Sequence, residues 1–258
     1  MNDIHSIFLN LISNFIWMPI SALLGAIVLG VLYYVRVRLP KRRLWRLTKP
    51  TGLVVCASNV ATRDTGVYYR PDTGIGEMRS LALAVKSLNK AYVRELDIKN
   101  ILLSTDHLQE RLENDLLLIG GPEHNKVTAR FLKFVSDKQP IRQTSDTIIW
   151  RHKKMAGKWL EDDVLEYTSK SEDKSIIQDY GIVIRMQSPF TTEKRTVILL
   201  SGIHTYGTIA AAKYFTEDMQ KGLRWLFRLR KPNLAALVST QIIDDYTTNI
   251  ELVQCELW

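Results

Sequence analysis

The chain has 258 residues, 46% of them hydrophobic, with 35 Lys and Arg against 27 Asp and Glu for a net charge of +8. Seven of those cations, Arg36, Arg38, Lys41, Arg42, Arg43, Arg46 and Lys49, share one short stretch; without them and Asp3, 28 basic residues face 26 acidic ones, a balance of only +2. So even a balance argues against a nucleic-acid-binding domain, which carries its own basic face, and two distant cysteines, Cys56 and Cys255, exclude a disulfide scaffold or a CxxC zinc site.

The first element in chain order is an apolar run. Phe15–Val35, 21 residues without a charge, is long enough for a helix to cross a bilayer core of about 30 Å. Trp17 and the Tyr33-Tyr34 pair stand where aromatic residues favour the membrane interface. The cations follow the run instead of preceding it, the reverse of a cleavable signal peptide. Because Lys and Arg collect on the cytoplasmic side, the expectation is a single-pass inner-membrane protein with its amino terminus outside and its bulk cytosolic. The expected organisation is an amino-terminal segment and span over 1–35, a basic juxtamembrane linker over 36–51 and a cytosolic α/β domain over 52–258. Ala22, Ala26 and Gly30 lie four apart, a spacing on which the spans of two copies can pack closely.

Beyond the anchor, Gly52–Ala57 reads as a fully buried strand, followed by a long polar loop and a helix from about Glu77 to Tyr92. Asn100–Ser104 is a second strand, and Asp106 suits the N-cap of a brief helix. Asp115–Gly121 is a third strand, running directly into a helix over about Glu123–Val135. Alternation at this spacing argues for a parallel sheet. Thr147–Trp150 is one more strand, and a variable excursion occupies about 151–179. Gly181–Met186 and Thr196–Leu200 form an expected β-hairpin, leading through SGIHTYGT into a helix and then a second helix, MQKGLRWLFRL. Ala235–Ile243 and Asn249–Trp258 close the chain as an antiparallel pair. The fold class expected is a Rossmann-like α/β domain, mostly parallel, with helices on both faces and an antiparallel carboxyl-terminal part.

Two strand-to-helix turns carry the chemistry. In LLLIGGPEHNKV, Gly120 and Gly121 leave a buried strand and Asn125 sits in the first helical turn; in VILLSGIHTYGT, Ser201, Gly202, His204 and Thr205 hold the same places. A weaker third turn, Thr73–Glu77, contains Gly74 and Gly76. Glycine lets a backbone turn tightly or meet a ligand, and free amides at a helix start favour anions. With Ser58-Asn59 and Ser104-Thr105, these turns belong to the carboxyl edge of the parallel strands, where open α/β sheets bind ligands. None is a P-loop, and glycine ends many such turns for steric reasons alone. His204, beside Ser201 and paired across the edge with His124, is the candidate catalytic group. Arg63, Arg70 and Arg79 are candidate phosphate clamps. Asp162-Asp163 and Asp244-Asp245 read as solvated turns, so no metal and no cofactor are expected.

The strand-GGPxxNxVTxxFL segment and the later LxGxHxxGTxAAxxxF segment resemble a group of uncharacterised bacterial Rossmann-like domains, some joined to membrane segments or signalling modules. The resemblance covers roughly Leu53–Phe215 and implies a ligand-sensing or nucleotide-related role, without naming catalytic residues. The leading expectation is a membrane-anchored domain that senses an anionic, nucleotide-like ligand through Gly121 and Gly202, its occupancy changing association of the anchored copies. A membrane-tethered scaffold, and an enzyme acting on a nucleotide-like substrate through His204, are the alternatives. Its expected partners are the lipid bilayer, a nucleotide-like small molecule and a second copy of the chain.

Overall fold

The computed structural model describes residues 2–59, 61–64, 69–92, 96–104, 108, 111–155, 157–219 and 231–258, with side chains from residue 15 onward apart from 16, 61–64 and 69–71. The chain begins with α1 (Asn2–Tyr33), which passes through a π-helical turn at Tyr34–Arg38 into α2 (Leu39–Trp45). From Trp17 this helix is long and apolar enough to span a membrane, and its large side chains, Leu23, Ile27 and Leu29 among them, are exposed rather than packed on protein.

The rest builds a mixed α/β fold. Its elements are β1 (Val54–Ala57), β2 (Ala61–Asp64), β3 (Tyr69–Asp72), α3 (Ile75–Tyr92), β4 (Ile101–Leu103), β5 (Leu116–Ile119) and α4 (Lys126–Phe134). There follow β6 (Ile141–Gln143), β7 (Thr147–Arg151), β8 (Lys154–Met155), β9 (Lys158–Trp159), β10 (Val164–Thr168), β11 (Lys170–Glu172) and β12 (Ser175–Gln187). The last are β13 (Thr196–Gly202), α5 (Thr205–Lys213), β14 (Leu234–Ile243) and β15 (Tyr246–Leu257). The central sheet has the order β15-β14-β12-β13-β5-β1-β4, with β11 paired to β12. Strands β13, β5, β1 and β4 are parallel neighbours, and β12, β14 and β15 add antiparallel pairs.

Covering both faces of the sheet explains why β5 and β13 are buried at every position. Leu117, Ile119, Ile198 and Leu200 point into one cluster with residues of α2, α3 and α5. Leu116, Leu118, Val197 and Leu199 point into a second, with Val127 and Phe131 of α4 and Ile148 and Trp150 of β7.

Residues 39–45 of the expected linker belong to the domain itself. Leu44 and Trp45 are fully buried, the Trp45 Nε1–H donates to Ser87 Oγ at 3.0 Å, and its ring meets Phe215 edge-on at 5.0 Å. The fully buried Arg185 donates to the Arg43 and Leu44 carbonyls, fastening α2 to β12. The dense cations of this stretch disguise its apolar face in the sequence.

Other differences have local causes. The polar loop after β1 contains the β2–β3 ribbon. Helix α4 starts three residues later than expected, because Asn125 caps it. The excursion at 151–179 contains part of a β10-β7-β6 sheet and the β8–β9 pair; Asp173 and Lys174, both left-handed with φ of +47° and +65°, make a two-residue turn that starts β12 early. Thr105, residues 106, 107, 109 and 110 of the helix expected from Asp106, and all of the MQKGLRWLFRL helix after Met219 lie outside the described residues.

Candidate functional site

All four parallel strands deliver their carboxyl ends to one edge, away from α2. At that edge β13 meets α5 at very short range. A side chain at Gly207 would stand well inside contact distance of the Tyr180 carbonyl, and one at Gly202 would strike the Gly207 backbone. These glycines let the helix start press directly on β12 and β13. The positive end of α5 faces a carboxylate: Asp179, fully buried, accepts N–H bonds from Gly207 at 2.6 Å, Tyr180 at 2.8 Å and His204 at 3.3 Å. Burial raises the Asp179 pKa above the usual carboxylate range; those hydrogen bonds and the His204 charge oppose the rise.

The β5–α4 turn is also self-contained. Gly120 has φ +100°, a left-handed conformation in which a side chain would also collide with Ser58 Oγ. Asn125 is completely buried; its Oδ1 accepts from Val127 and Thr128 N–H, and its Nδ2 donates to the Cys56 and Ile119 carbonyls. Every hydrogen-bonding site of its amide group is thereby engaged in capping α4 and tying it to β1 and β5. Ser201 is likewise buried and donates to Gln143 Oε1, while Gln143 Nε2 donates to the Gly202 carbonyl. Asn125 and Ser201 therefore support the turns from behind, and Ser201 makes no hydrogen bond with His204.

The third turn completes the edge. Gly76 brings the start of α3 against the start of α5: an added Cβ would stand 2.7 Å from Thr205 Cγ2. Between the turns lies a hollow of about 600 Å³, lined by Gly74, Gly121, Gly202, His204 and Thr205, all nominated from the sequence. Both His124 and His204 line it, as does Arg79, and their company is acidic: Glu77, Glu123, Asp146 and Asp245. Tyr206 donates to Asp245 Oδ1 at 2.7 Å across its rim, which raises the tyrosine pKa. His204 Nε2 is 3.0 Å from Ser169 Oγ.

Glu77 is the unusual member. It is 8% exposed, lines the hollow, and its Oε2 is buried without a hydrogen-bond partner. An unpartnered buried acceptor costs about 1–3 kcal/mol, more when charged. Sequence reasoning passed over Glu77 and Asp179. The signal for Glu77 was its place in the first turn after Gly74-Ile-Gly; Asp179 had none but its position before an apolar strand. Side chains of Arg63 and Arg70 lie outside the described residues. Among the described residues no group of three His, Cys, Asp or Glu side chains is placed to hold a metal. Compared with protein-family models and with curated proteins, the chain matches none.

Proposed function

We propose that the protein is a single-pass bacterial inner-membrane protein, amino terminus outside, whose cytosolic Rossmann-like domain binds a nucleotide-like ligand in the carboxyl-edge hollow. One observation carries the reading: three glycine turns distant in sequence converge on a hollow that buries an unsatisfied carboxylate oxygen of Glu77. The volume suits a small ligand, such pockets running about 300–1,000 Å³. The charge pattern refines the ligand. Asp179 and Asn125 already occupy amides at the two helix starts that had invited an anion, so phosphate alone has little to gain there. A ligand with sugar hydroxyls or base N–H groups gives Glu77 the donor it lacks and leaves its phosphate for Arg79.

Thermal unfolding of the full chain in nanodiscs, with mononucleotides, cyclic oligonucleotides and phosphorylated sugars, tests the reading. A ligand at 100 times its dissociation constant adds about 2.7 kcal/mol of stability, a rise of roughly 5–10 °C for a chain of this size. Glu77→Gln should abolish most of that rise while the protein stays folded. A flat screen on well-folded protein, or a shift untouched by Glu77→Gln, refutes the site and favours a scaffold. The Ser169–His204 contact favours one second reading, hydrolysis or transfer on the same ligand with Ser169 as nucleophile. Turnover lost in both Ser169→Ala and His204→Ala, with binding retained, would establish it.

A further inference from the structure

A larger hollow, of about 770 Å³, lies at the opposite edge of the sheet, where α2 enters the domain. Its walls come from segments far apart in sequence: Arg42, Arg43 and Arg46 from α2 and its end, Lys194 and Arg195 from the β12–β13 turn, and Tyr92 from the end of α3. Those are five cations, and no carboxylate is among the described lining residues.

The positive charge is held in place. The Arg42 guanidinium lies over the Tyr92 ring, 5.4 Å from its centroid, and Arg195 Nε donates to the Glu113 carbonyl at 3.2 Å while its outer nitrogen pairs with Glu193. Behind the wall Arg185 is buried on four backbone carbonyls, those of Arg43, Leu44, Lys231 and Pro232. Burial, and then the charge of Arg46, draw its pKa down to about 9. The fold thus gathers Arg42, Arg43 and Arg46 with Lys194 and Arg195 on the wall of one cavity.

The location says which anion comes. Arg42 follows the apolar run by seven residues, about 10 Å along a helix at 1.5 Å per residue. The headgroup layer on each side of a bilayer core is about 5–8 Å thick. The hollow therefore opens just outside the headgroup layer, within an arginine side chain's reach of it, beside the emerging helix. Lys194 and Arg195 reach it by the fold, so a cation cluster that needed no role beyond setting topology becomes part of a shaped cavity. We infer that this basic hollow binds the phosphate of an anionic lipid headgroup in the leaflet from which the helix emerges. The inference rests on insertion of α1 in a bilayer, which incorporation of the full chain into nanodiscs verifies separately, and is independent of the ligand in the other hollow.

Native mass spectrometry of the full chain in detergent, titrated with phosphatidylglycerol and with phosphatidylcholine, measures the site. Phosphatidylglycerol should bind in preference. Arg42→Gln with Lys194→Gln should weaken it by roughly 25-fold, about fivefold for each charge removed. Lys194→Gln alone, at an exposed turn, should cost about fivefold and guards against misfolding of the double variant. Arg36→Gln with Lys90→Gln removes the same charge from a separate basic hollow at this end and should have little effect. Equal losses in the two double variants would mean diffuse surface attraction and overturn the site. So would equal affinity for phosphatidylcholine, or displacement of the lipid by inorganic phosphate, which would mark a soluble ligand.

Discussion

Replacing Trp45 by alanine tests whether the end of the long amino-terminal helix is part of the domain core. Trp45 is fully buried, and Ser87, its hydrogen-bond partner, is 3% exposed. Truncating a buried Trp to Ala costs about 3–5 kcal/mol. The lost edge-on contact with Phe215 is included in that figure, and the stranded Ser87 hydroxyl adds about 1 kcal/mol or more. A total near 4–6 kcal/mol is a large part of the 5–15 kcal/mol typical of a folded domain. At about 2–4 °C per kcal/mol for a chain of this size, the melting temperature should fall by roughly 8–24 °C. Near-ultraviolet circular dichroism of the full chain in micelles, read against temperature, gives the value. Trp45→Phe, which keeps the ring, should lose less than half as much. A fall of under 2 °C for Trp45→Ala, within the roughly 0.5 kcal/mol of an ordinary surface change, would refute the packing and restore residues 39–45 to a solvated connector. The same reasoning sets the truncation limit: a chain begun at residue 36 should fold, and one begun at residue 50 should not, because it lacks Leu44, Trp45 and two of the carbonyls that hold Arg185.

Two glycines of the site should separate sharply. Gly207→Ala forces a methyl against the Tyr180 carbonyl and should cost upwards of about 3 kcal/mol in chemical denaturation, beyond ordinary overpacking. At Gly121 the nearest atom to an added Cβ is Gln143 Nε2, 3.5 Å away, so Gly121→Ala should change stability by less than about 1 kcal/mol while weakening any ligand seated there. Asp179 should leave a mark on the pH profile. Its folded pKa is raised, so the folded state holds that proton more tightly than the unfolded chain. Its contribution to stability is therefore fully present below the unfolded value of about 3.9 and is lost as pH rises towards the folded one. Asp179→Asn should remove that fall from urea titrations in acid, and at neutral pH should cost about 1–3 kcal/mol by placing an amide where Gly207 and His204 donate.

What the sequence disclosed follows from which forces are local. The uniform burial of β5 and β13 makes apolar runs, and the glycines at their ends are visible without coordinates, so the convergence of Gly74, Gly121 and Gly202 on one edge was legible from strand alternation. The roles of Asn125 and Ser201 were not. An Asn after a glycine pair can face a ligand or its own helix, and the decision is made by the Cys56 and Ile119 carbonyls. Asp179 was hidden for the same reason: its partners at the start of α5, the N-cap His204 and Gly207, lie 25 and 28 positions later. In α2 a buried apolar edge is interrupted by cations, two of which, Arg42 and Arg43, turn to the basic hollow. A composition-based boundary starts the domain after the charge cluster, at residue 52, whereas the packed boundary falls inside the cluster, at residue 39.

Helix α3 relates the two hollows to each other. Its 18 residues cover about 27 Å. At its start, Glu77 lines the acidic hollow and Gly76 rests on Thr205, with Ser80 Oγ donating to the Thr208 carbonyl at 3.2 Å. At its end, Ser87 takes the Trp45 hydrogen bond, the Tyr92 hydroxyl accepts the Leu47 N–H at 3.2 Å, and Arg42 lies on the Tyr92 ring. Contact alone transmits nothing: a ligand shifts an equilibrium only by its differential affinity for two states. Glu77 is where such a difference can arise, because its unpartnered oxygen favours whichever placement of α3 gives it a donor. The same helix end that carries Glu77 sits on the glycine contact with α5, and its other end sits on the tryptophan that closes α2. Helix α3 therefore touches both the acidic hollow and the tryptophan that closes α2, with each of its ends fixed by named contacts.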